Sequence, residues 1–575
     1  MGKLMEFLRP YRVYVALVLV LTFVQTMSSL YLPNMMSDIV DTGIVHGNQP
    51  YIWREGLLML AVTAGGGLAS VIARYYGAMA MAGFGRLLRS RIFSHVESFS
   101  LKEFDEIGTS SLIVRGTNDV WQVQQFITMA LTFLVMAPLT AIGGIILAVR
   151  TDPGLSLTIV VVVPVMGFVI WLVMRQGFDL FRSIQRKIDT LNLVLRENLT
   201  GVRVVRAFGR VDYETRRFDQ ANLDLTDTSV RVFQLMALMM PLVMLIMNLA
   251  TVAIFWFGAV QMNQGSFEVG NLMAFIQYVM QIMFAVLMVS MMLFQVPRAQ
   301  ASAARIQEVL ELEPGIADPV QPLPAVPGSG IVEFRHVTFH YPGGEEPALE
   351  DVSFTARPGE VTAIIGGTGA GKSTLLNLVL RFYDTSSGQV LVDGADVRAM
   401  RQHDLRHRLA YVPQRAVLFT GSVLDNIRYG DPQASAEAAM HAAAIAQASG
   451  FVRDMDGGLD AEVSQGGVNL SGGQRQRLAM ARALARHAEI YLFDDTFSAL
   501  DFKTDSLVRA ALRRELKGQT VLIVAQRVST VMDADQILVL DDGKLVGAGN
   551  HQHLMHDCPV YREIVSSQLS PEEIA

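Results

Sequence analysis

A glycine-rich segment at residues 366–374 has the clearest chemistry in this sequence, and it reads Gly-Gly-Thr-Gly-Ala-Gly-Lys-Ser-Thr. It follows the apolar run 361–365, which is typical of a strand, and a helix is predicted from Lys372. Backbone N–H groups of such a loop and helix start can surround phosphates. Lys372 would then reach the β- and γ-phosphates, and Ser373 would bind Mg²⁺. The sequence therefore predicts a nucleoside triphosphate site built from Gly366, Gly367, Thr368, Gly369, Ala370, Gly371, Lys372, Ser373 and Thr374.

A second predicted anion site opens a helix at residues 469–477, Asn-Leu-Ser-Gly-Gly-Gln-Arg-Gln-Arg. The free N–H groups at the start of a helix attract phosphate. One chain thus carries two phosphate-binding elements that cannot obviously face the same phosphate. Two chains arranged head to tail would solve this, because each nucleotide would lie between the glycine loop of one chain and the Ser-Gly-Gly helix of the other.

Six long apolar stretches precede residue 312, and each can cross a hydrocarbon layer of about 30 Å. Buried helices of a large soluble protein are the alternative, but six such stretches in one half of the chain argue against it. The mean hydropathy of +0.34, with 18% charged residues, also indicates a membrane protein. We predict spans near 13–33, 56–82, 125–149, 155–175, 233–262 and 267–295.

Basic residues are divided unequally between the loops. The long segments after the second and fourth stretches are rich in arginine, whereas 34–55 holds only Arg54 and 261–267 holds no basic residue. The positive-inside rule therefore predicts that both long loops and both termini are cytoplasmic. The long loops also have helical patterns, so we expect the membrane helices to continue well past the bilayer.

The composition changes near residue 312, where the transmembrane domain 1–312 is predicted to end. Residues 313–330 contain five prolines and end in Gly-Ser-Gly, which is typical of a linker. In 331–575, short apolar strands alternate with helices, which predicts a soluble α/β domain. The net charge of −7 does not suggest nucleic acid, and the single cysteine, Cys558, excludes an intramolecular disulfide.

The glycine loop at 366–374 and the Ser-Gly-Gly segment at 470–474, with three further short segments, resemble the nucleotide-binding domain of an ABC transporter. The six apolar stretches before residue 312 resemble the exporter-type membrane domain. Residues 104–109 and 203–210 resemble the segments at the first coupling helix and at the approach to the second. The resemblance covers essentially the whole chain. It implies six transmembrane α-helices fused to a cytoplasmic α/β P-loop domain, ATP and Mg²⁺ as ligands, a bacterial inner membrane, and a second half-transporter as partner. It rests on 366–374, Gln414, 470–474, 493–494 and 498–501.

The resemblance also implies roles for single residues. Tyr341, which could equally be an ordinary edge-strand tyrosine, would stack on adenine, and Gln414 would sense the γ-phosphate and Mg²⁺. Asp494 would hold Mg²⁺ through water together with Ser373, and Asp501 would contact the partner chain. The nucleotide of the partner would be bound by the signature segment, Leu470, Ser471, Gly472, Gly473 and Gln474.

Two positions depart from the family pattern. Asp495 stands where the family has a hydrolytic glutamate, and Gln526 stands where it has a switch histidine. Aspartate is one methylene shorter, and a misplacement near 1 Å can cost about 100-fold in rate. Glutamine offers only a neutral amide near the γ-phosphate, whereas histidine can carry a positive charge. Drift, or a slow homodimer, is one interpretation. The other is a heterodimer in which this chain holds ATP with little turnover while its intact signature segment serves a competent site.

The transported compound is less clear from the sequence. The fifth and sixth stretches are rich in methionine, which adapts to varied shapes and mildly favours lipophilic or drug-like cargo. Asp38 and Asp41, at the outer end of the first span, are either an extracellular gate or solvated loop acids. No span centre carries an evident pair of ionisable residues, so proton coupling is not suggested. A lipid flippase, a siderophore transporter and a nonhydrolytic ATP sensor of the same architecture remain alternatives to drug export.

Overall fold

The computed structural model describes residues 2–264, 267–323 and 328–569 of the chain. It divides into two compact units, Met1–Glu97 with Ser110–Leu312, and Ser98–Thr109 with Glu313–Ala575. Residues 324–327, in the middle of the predicted linker, lie outside the described residues.

Helices make up the described part of the chain up to residue 311. Six continuous helical runs there are long and apolar enough to cross a membrane, which confirms the prediction of six membrane helices. A 3₁₀ helix, Gly2–Tyr11, precedes them, and π-helical turns interrupt them at Ile39–Ile44 and Arg115–Asp119. The α-helices are α1 (Arg12–Asp38), α2 (Gln49–Val96), α3 (Leu101–Ile107), α4 (Thr109–Val114), α5 (Val120–Thr151), α6 (Leu157–Thr200), α7 (Val202–Ala207), α8 (Val211–Asn263) and α9 (Val269–Glu311).

Several of these helices are much longer than a bilayer. Helix α8 contains 53 residues, which at 1.5 Å per residue is about 80 Å. The polar residues before the apolar stretch 233–262 belong to the same helix. Hydropathy alone therefore identifies the segment that could lie in the bilayer but not the full length of the helix. In the first unit α1 packs along α2, α5 along α9, and α6 along α8.

A buried carboxylate joins α9 to the start of α5. The Asp119 side chain is fully buried, and it accepts hydrogen bonds from Arg305 Nε at 2.8 Å and Ser302 Oγ at 2.9 Å. Such a charge is tolerated in an interior only when it is paired and hydrogen-bonded. This ion pair therefore fixes the register between the two helices.

The second unit is built on two larger β-sheets. The six-stranded sheet has the order β12-β11-β3-β10-β9-β6, is parallel except for β12, and carries the buried apolar strands predicted around the glycine loop. The four-stranded sheet has the order β2-β1-β4-β5, and β7 pairs with β8. The strands are β1 (Val332–Phe339), β2 (Leu349–Ala356), β3 (Val361–Gly366), β4 (Ser387–Val392), β5 (Ala395–Asp396), β6 (Leu409–Val412), β7 (Gly421–Ser422), β8 (Glu462–Val463), β9 (Ile490–Asp494), β10 (Thr520–Val524), β11 (Gln536–Asp541) and β12 (Lys544–Gly549).

The neighbouring parallel strands β3, β10 and β9 bring their carboxyl ends to one edge of the large sheet. Ligands bind at this edge in open α/β sheets. The helices that connect or flank the strands are α10 (Lys372–Val379), α11 (Gln402–His407), α12 (Val423–Arg428), α13 (Ala436–Ile445), α14 (Ser449–Asp454), α15 (Gly472–Ala485), α16 (Phe502–Glu515), α17 (Val528–Val531), α18 (His551–Asp557) and α19 (Pro559–Gln568).

The segment Ser98–Thr109, which includes the predicted first coupling region 104–109, is part of the second unit. Within it Ser100 and Glu103 form a reciprocal cap at the start of α3, and the buried Glu103 carboxylate also accepts the Gly315 N–H at 3.2 Å. The Tyr383 hydroxyl donates to Asp105 Oδ2 at 3.4 Å. Residues 203–210, predicted to approach the second coupling helix, form α7 and the turn after it.

Candidate functional site

The glycine loop connects β3 to α10, as its sequence predicts. Gly369 and Gly371 have φ values of +88° and +90°, which non-glycine residues rarely adopt. A Cβ on Gly371 would lie 2.6 Å from the carbonyl oxygen of Ala348. The Lys372 ammonium donates to the carbonyl oxygens of Gly366 and Gly367 at 3.0 and 2.5 Å, so the loop wraps around its own lysine. Burial lowers the pKa of Lys372, against the opposing effect of nearby aspartates.

The end of β9 brings Asp494 beside the start of α10. Ser373 Oγ donates to Asp494 Oδ1 at 2.7 Å, and burial raises the pKa of the Asp494 carboxyl. Hydroxyl and carboxylate oxygens suit Mg²⁺. Within the described residues no group of three or more His, Cys, Asp or Glu side chains could hold a metal. Ser373 and Asp494 supply two oxygen donors, which fits an ion that takes its other ligands from phosphate and water.

Two glutamine amides converge on Asp495. Gln526 Nε2 donates to Asp495 Oδ2 at 2.8 Å, and Gln414 Nε2 donates to the same oxygen at 3.1 Å. The backbone of Asp495 has a φ of +44°, and its N–H is bonded to the Val524 carbonyl, so the side chain leaves the sheet edge in a fixed direction. Burial raises the pKa of the Asp495 carboxyl, although the hydrogen bond from Gln414 opposes this. The two departures from the family pattern thus contact each other directly.

The tyrosine at the predicted adenine position lies beside this loop. The Tyr341 hydroxyl is 2.9 Å from Thr374 Oγ1, and its ring packs edge-on against Phe339 and Tyr383, with centroids 4.9 and 5.4 Å away. More than a third of the residue's surface remains exposed, 37%. The ring is therefore held in place while part of it stays accessible to a base.

A cavity of about 400 Å³ unites these segments. Its volume is within the range of small-molecule sites. The structure thus brings together the predicted tyrosine, glycine loop, Gln414 and both altered positions. The cavity is lined by Tyr341, Ala348, Thr368, Gly369, Gly371, Lys372, Ser373, Thr374, Gln414, Asp495, Val524 and Gln526.

The signature segment does not line that cavity. Ser471 caps α15 by accepting the Gln474 N–H at 3.2 Å, and Gln474 Oε1 accepts the Ser471 N–H at 2.8 Å. Leu470 is buried beneath the helix start. A Cβ on Gly472 would meet no atom within 4 Å, whereas one on Gly473 would lie 3.3 Å from the Ala499 carbonyl oxygen. The fold of this chain therefore needs no glycine at position 472 for packing.

Three further predicted acids have partners within the chain. Asp501 caps α16, accepting the N–H of Thr504 at 3.0 Å and its hydroxyl at 2.7 Å, and these bonds lower the pKa of its carboxyl. Asp41 caps α9, because its carboxylate accepts the N–H of Gly270 at 2.7 Å and that of Asn271 at 3.2 Å. Asp38 accepts a longer hydrogen bond, 3.4 Å, from the Asn34 amide. Partner contact by Asp501 and the extracellular gate stay predictions.

Tyr411 belongs to the site but is not among the residues predicted from the sequence. The Tyr411 hydroxyl hydrogen-bonds to Asp494, and burial raises the pKa of this tyrosine. Tyr411 lies in the same Tyr-Val-Pro-Gln segment as Gln414. Tyr411 lies on β6 opposite Leu492 of β9, and Asp494 follows two residues later on the same face of that strand. The sequence signal that could have found it is its position three residues before Gln414.

This chain combines six helices of membrane-spanning length with a P-loop nucleotide-binding domain. That combination is typical of membrane transporters driven by a nucleotide. Residues 15–286 match the family described as ABC transporter transmembrane region, and residues 349–498 match the family described as ABC transporter. The chain therefore belongs to the ABC transporter family, as an exporter-type half-transporter with its membrane domain fused to a nucleotide-binding domain.

Relatives and a solved structure match nearly the full length. An uncharacterized ABC transporter ATP-binding protein of Mycobacterium tuberculosis (strain CDC 1551 / Oshkosh) is 44% identical over 99% of this chain and 98% of the relative. An ATP-dependent lipid A-core flippase of Vibrio vulnificus (strain CMCP6) is 30% identical over 98% and 96%. The structure of a bacterial Atm1-family ABC exporter with ATP bound is 26% identical, with a TM-score of 0.80 over 98% of this chain and 99% of that chain. Family membership implies ATP binding, typically with Mg²⁺, in a multi-pass membrane protein.

Proposed function

We propose that this chain is one subunit of a heterodimeric ABC exporter that moves lipophilic or drug-like compounds out of the cell. Its own glycine loop holds ATP with little turnover, and its signature segment completes the hydrolytic site of the partner. The observation that carries the proposal is the engagement of one Asp495 oxygen by Gln414 and Gln526, at 3.1 and 2.8 Å.

That engagement weakens Asp495 as a base in two ways. The Oδ2 oxygen already accepts hydrogen bonds from Gln414 and Gln526, so little acceptor capacity remains on it for an attacking water, even though burial raises the pKa of the carboxyl. The side chain is also shorter than the glutamate of the family pattern, so water must come closer to the sheet edge to reach it. Gln526 contributes a neutral amide where charge develops, and electrostatic stabilisation is the main catalytic term in phosphoryl transfer.

The residues that hold ATP are those lining the nucleotide cavity. Tyr341 stacks on the base, and Lys372 leaves the carbonyls of Gly366 and Gly367 to donate to phosphate. Ser373, Gln414 and Asp494 would hold Mg²⁺, which neutralises phosphate charge when bound. These groups bind and orient the nucleotide, whereas proton removal from water is the step that Asp495 performs poorly.

The signature segment supports the second half of the proposal. The N–H groups at the start of α15 are available to an anion, Ser471 is fixed by its cap, and the surroundings of Gly472 are open. The partner is a second half-transporter that keeps the glutamate and histidine and has an altered signature. Arginine-rich loops support an orientation with both termini and the nucleotide-binding domain in the cytoplasm of a bacterial cell.

Lipid flipping is the second candidate function, because a relative 30% identical over 98% of this chain is an ATP-dependent lipid A-core flippase. Stimulation of ATP hydrolysis by lipids but not by drug-like amphiphiles would favour flipping over drug export. A partner is expected in both cases.

Steady-state ATP hydrolysis tests the proposal. The purified chain alone should bind ATP and turn it over slowly. Fast ATP hydrolysis by the chain alone, abolished by Asp495→Asn, would contradict the proposal. In the complex with its partner, Asp495→Asn should change turnover by less than about twofold, whereas Gly472→Ala should reduce it more than about tenfold, the scale of a misplaced catalytic contact. Gly472→Ala is a sharp probe because the added methyl group would meet no atom of the described residues within 4 Å. Loss of activity would therefore reflect the nucleotide of the partner and not misfolding.

A further inference from the structure

A second cavity, of about 440 Å³, lies in the first unit among α1, α2 and α5, with Met288 of α9 at its edge. No Asp or Glu is among the described residues that line it. The lining combines one cation, Arg74, with neutral polar groups and four methionines. The methionines are Met81, Met129, Met136 and Met288.

Arg74 lies within the apolar stretch 56–82 of α2 and is the one charged residue in that stretch. Eighteen residues separate it from the start of that stretch at residue 56. At 1.5 Å per residue this is about 27 Å, close to the far side of a hydrocarbon layer about 30 Å thick. In the part of the chain that the structure describes, the Arg74 side chain has no hydrogen-bond or ion-pair partner.

Arg175 of α6 shows the contrast. It stands at the end of the fourth apolar stretch, and its guanidinium lies over the Trp171 ring, 5.4 Å from the centroid. An aromatic face satisfies part of the charge of an arginine. Among the described residues no aromatic ring lies under the Arg74 guanidinium, and Arg74 lines a cavity instead.

The other polar groups of the cavity suit an amphiphile. The Thr128 hydroxyl donates to the Gln124 carbonyl at 2.8 Å and the Thr132 hydroxyl to the Thr128 carbonyl at 3.2 Å, so both present only acceptor capacity to the cavity. Donors come from Arg74 and Ser70, both on α2, and from Gln25 on α1. Methionine side chains adapt to apolar tails of varied shape.

We propose that this cavity binds an amphiphile with an anionic headgroup, a phosphate or carboxylate, seated on Arg74 with its tail among the methionines. The inference rests on the proposed function and deepens it by naming the charge of the transported compound. Arg74 lies close to the far side of the hydrocarbon layer and lines the cavity without a partner among the described residues. A phosphate or carboxylate would neutralise its charge and could accept two hydrogen bonds from the planar guanidinium. The alternative is that the Arg74 side chain extends to the bilayer surface and binds no anion. The experiment below distinguishes this alternative from anion binding.

The test uses the full-length chain in lipid discs without nucleotide, with the fluorescent carboxylate 11-(dansylamino)undecanoate as probe. Wild type should bind the probe, and dodecyl phosphate should displace it at concentrations at least about tenfold lower than dodecyltrimethylammonium, since a charged hydrogen bond is the difference. Arg74→Gln should weaken probe binding by about tenfold or more. Arg74→Lys should retain binding within a few-fold, and the matched control Arg175→Gln should bind like wild type.

Equal probe affinity of Arg74→Gln and wild type would overturn the inference, as would stronger displacement by the cationic amphiphile. Displacement by inorganic phosphate at the same concentration as dodecyl phosphate would also overturn it, because the tail would then contribute nothing. Unchanged ATP binding by each variant shows that it is folded. A failure of the heterodimer proposal appears separately, as fast ATP hydrolysis by the chain alone, and leaves the probe result intact.

Discussion

Restoring the family residues at the two altered positions should convert this chain into an active ATPase. The double variant Asp495→Glu with Gln526→His lengthens the carboxylate side chain and places a potential positive charge in the cavity. Because the signature segment is intact, two copies of this chain arranged head to tail would each complete the site of the other. The test therefore needs no second subunit.

The magnitude follows from the geometry around Asp495. Glutamate carries its carboxylate about 1.5 Å, one C–C bond, further from the backbone. Since a misplacement of about 1 Å costs about 100-fold, correcting it should raise the rate of hydrolysis by about 100-fold in the double variant. Each single variant should gain less. Asp495→Glu retains the Gln526 amide that donates at 2.8 Å, and Gln526→His retains the short side chain.

Steady-state phosphate release from the purified chain in lipid discs measures this gain, with Lys372→Ala in the double variant as the control for hydrolysis at the glycine loop. Cross-linking in the presence of ATP establishes that two copies associate. Two results would refute the proposal that Asp495 and Gln526 make this site slow. One is an associated double variant that is no faster than wild type, and the other is a fast wild type that loses activity with Asp495→Asn.

Three further outcomes are expected. Tyr341→Ala should weaken ATP binding about tenfold through loss of base stacking, whereas Tyr341→Phe, which loses only the bond to Thr374, should cost about 1 kcal/mol or less, as isothermal titration can measure. Arg305→Gln should lower the free energy of unfolding by about 2 kcal/mol, because the fully buried Asp119 loses its charged partner, and thermal unfolding of the chain in lipid discs checks this. Asp494→Asn should raise the unfolding midpoint of the nucleotide-free chain. Burial raises the pKa of the Asp494 carboxyl in the folded state, so its charged form destabilises the folded chain. The gain in stability from Asn should therefore grow as pH rises through that pKa. It should vanish at acid pH, where Asp494 is protonated in both the folded and the unfolded state.

The sequence predicted correctly those features that depend on a short, continuous pattern of residues. The glycine loop, the helix that begins in the segment 469–477 and the apolar strands are local patterns, and six apolar stretches are enough to recognise six membrane helices. Their lengths were harder, because polar residues outside the bilayer continue the same helices, as in α8.

Contacts between distant segments could not be predicted. Gln414 and Gln526 lie 81 and 31 residues from Asp495, and only the order of β6, β9 and β10 brings all three together. Likewise, the sequence marked Asp41 and Asp501 as functional acids without showing that both cap helices of this chain. Their type and position were visible, but their hydrogen-bond partners depend on tertiary structure.

The segment Ser98–Thr109 has a consequence for how the chain can be divided. It follows α2 in sequence, yet it belongs to the unit that otherwise begins at Glu313. Cutting the chain at the linker would therefore not release the complete second unit, since Gly315 would lose the Glu103 carboxylate and Tyr383 would lose Asp105. A fragment starting at residue 313 should thus be less stable than the same residues in the intact chain, and supplying 98–109 as a separate peptide should restore part of the difference.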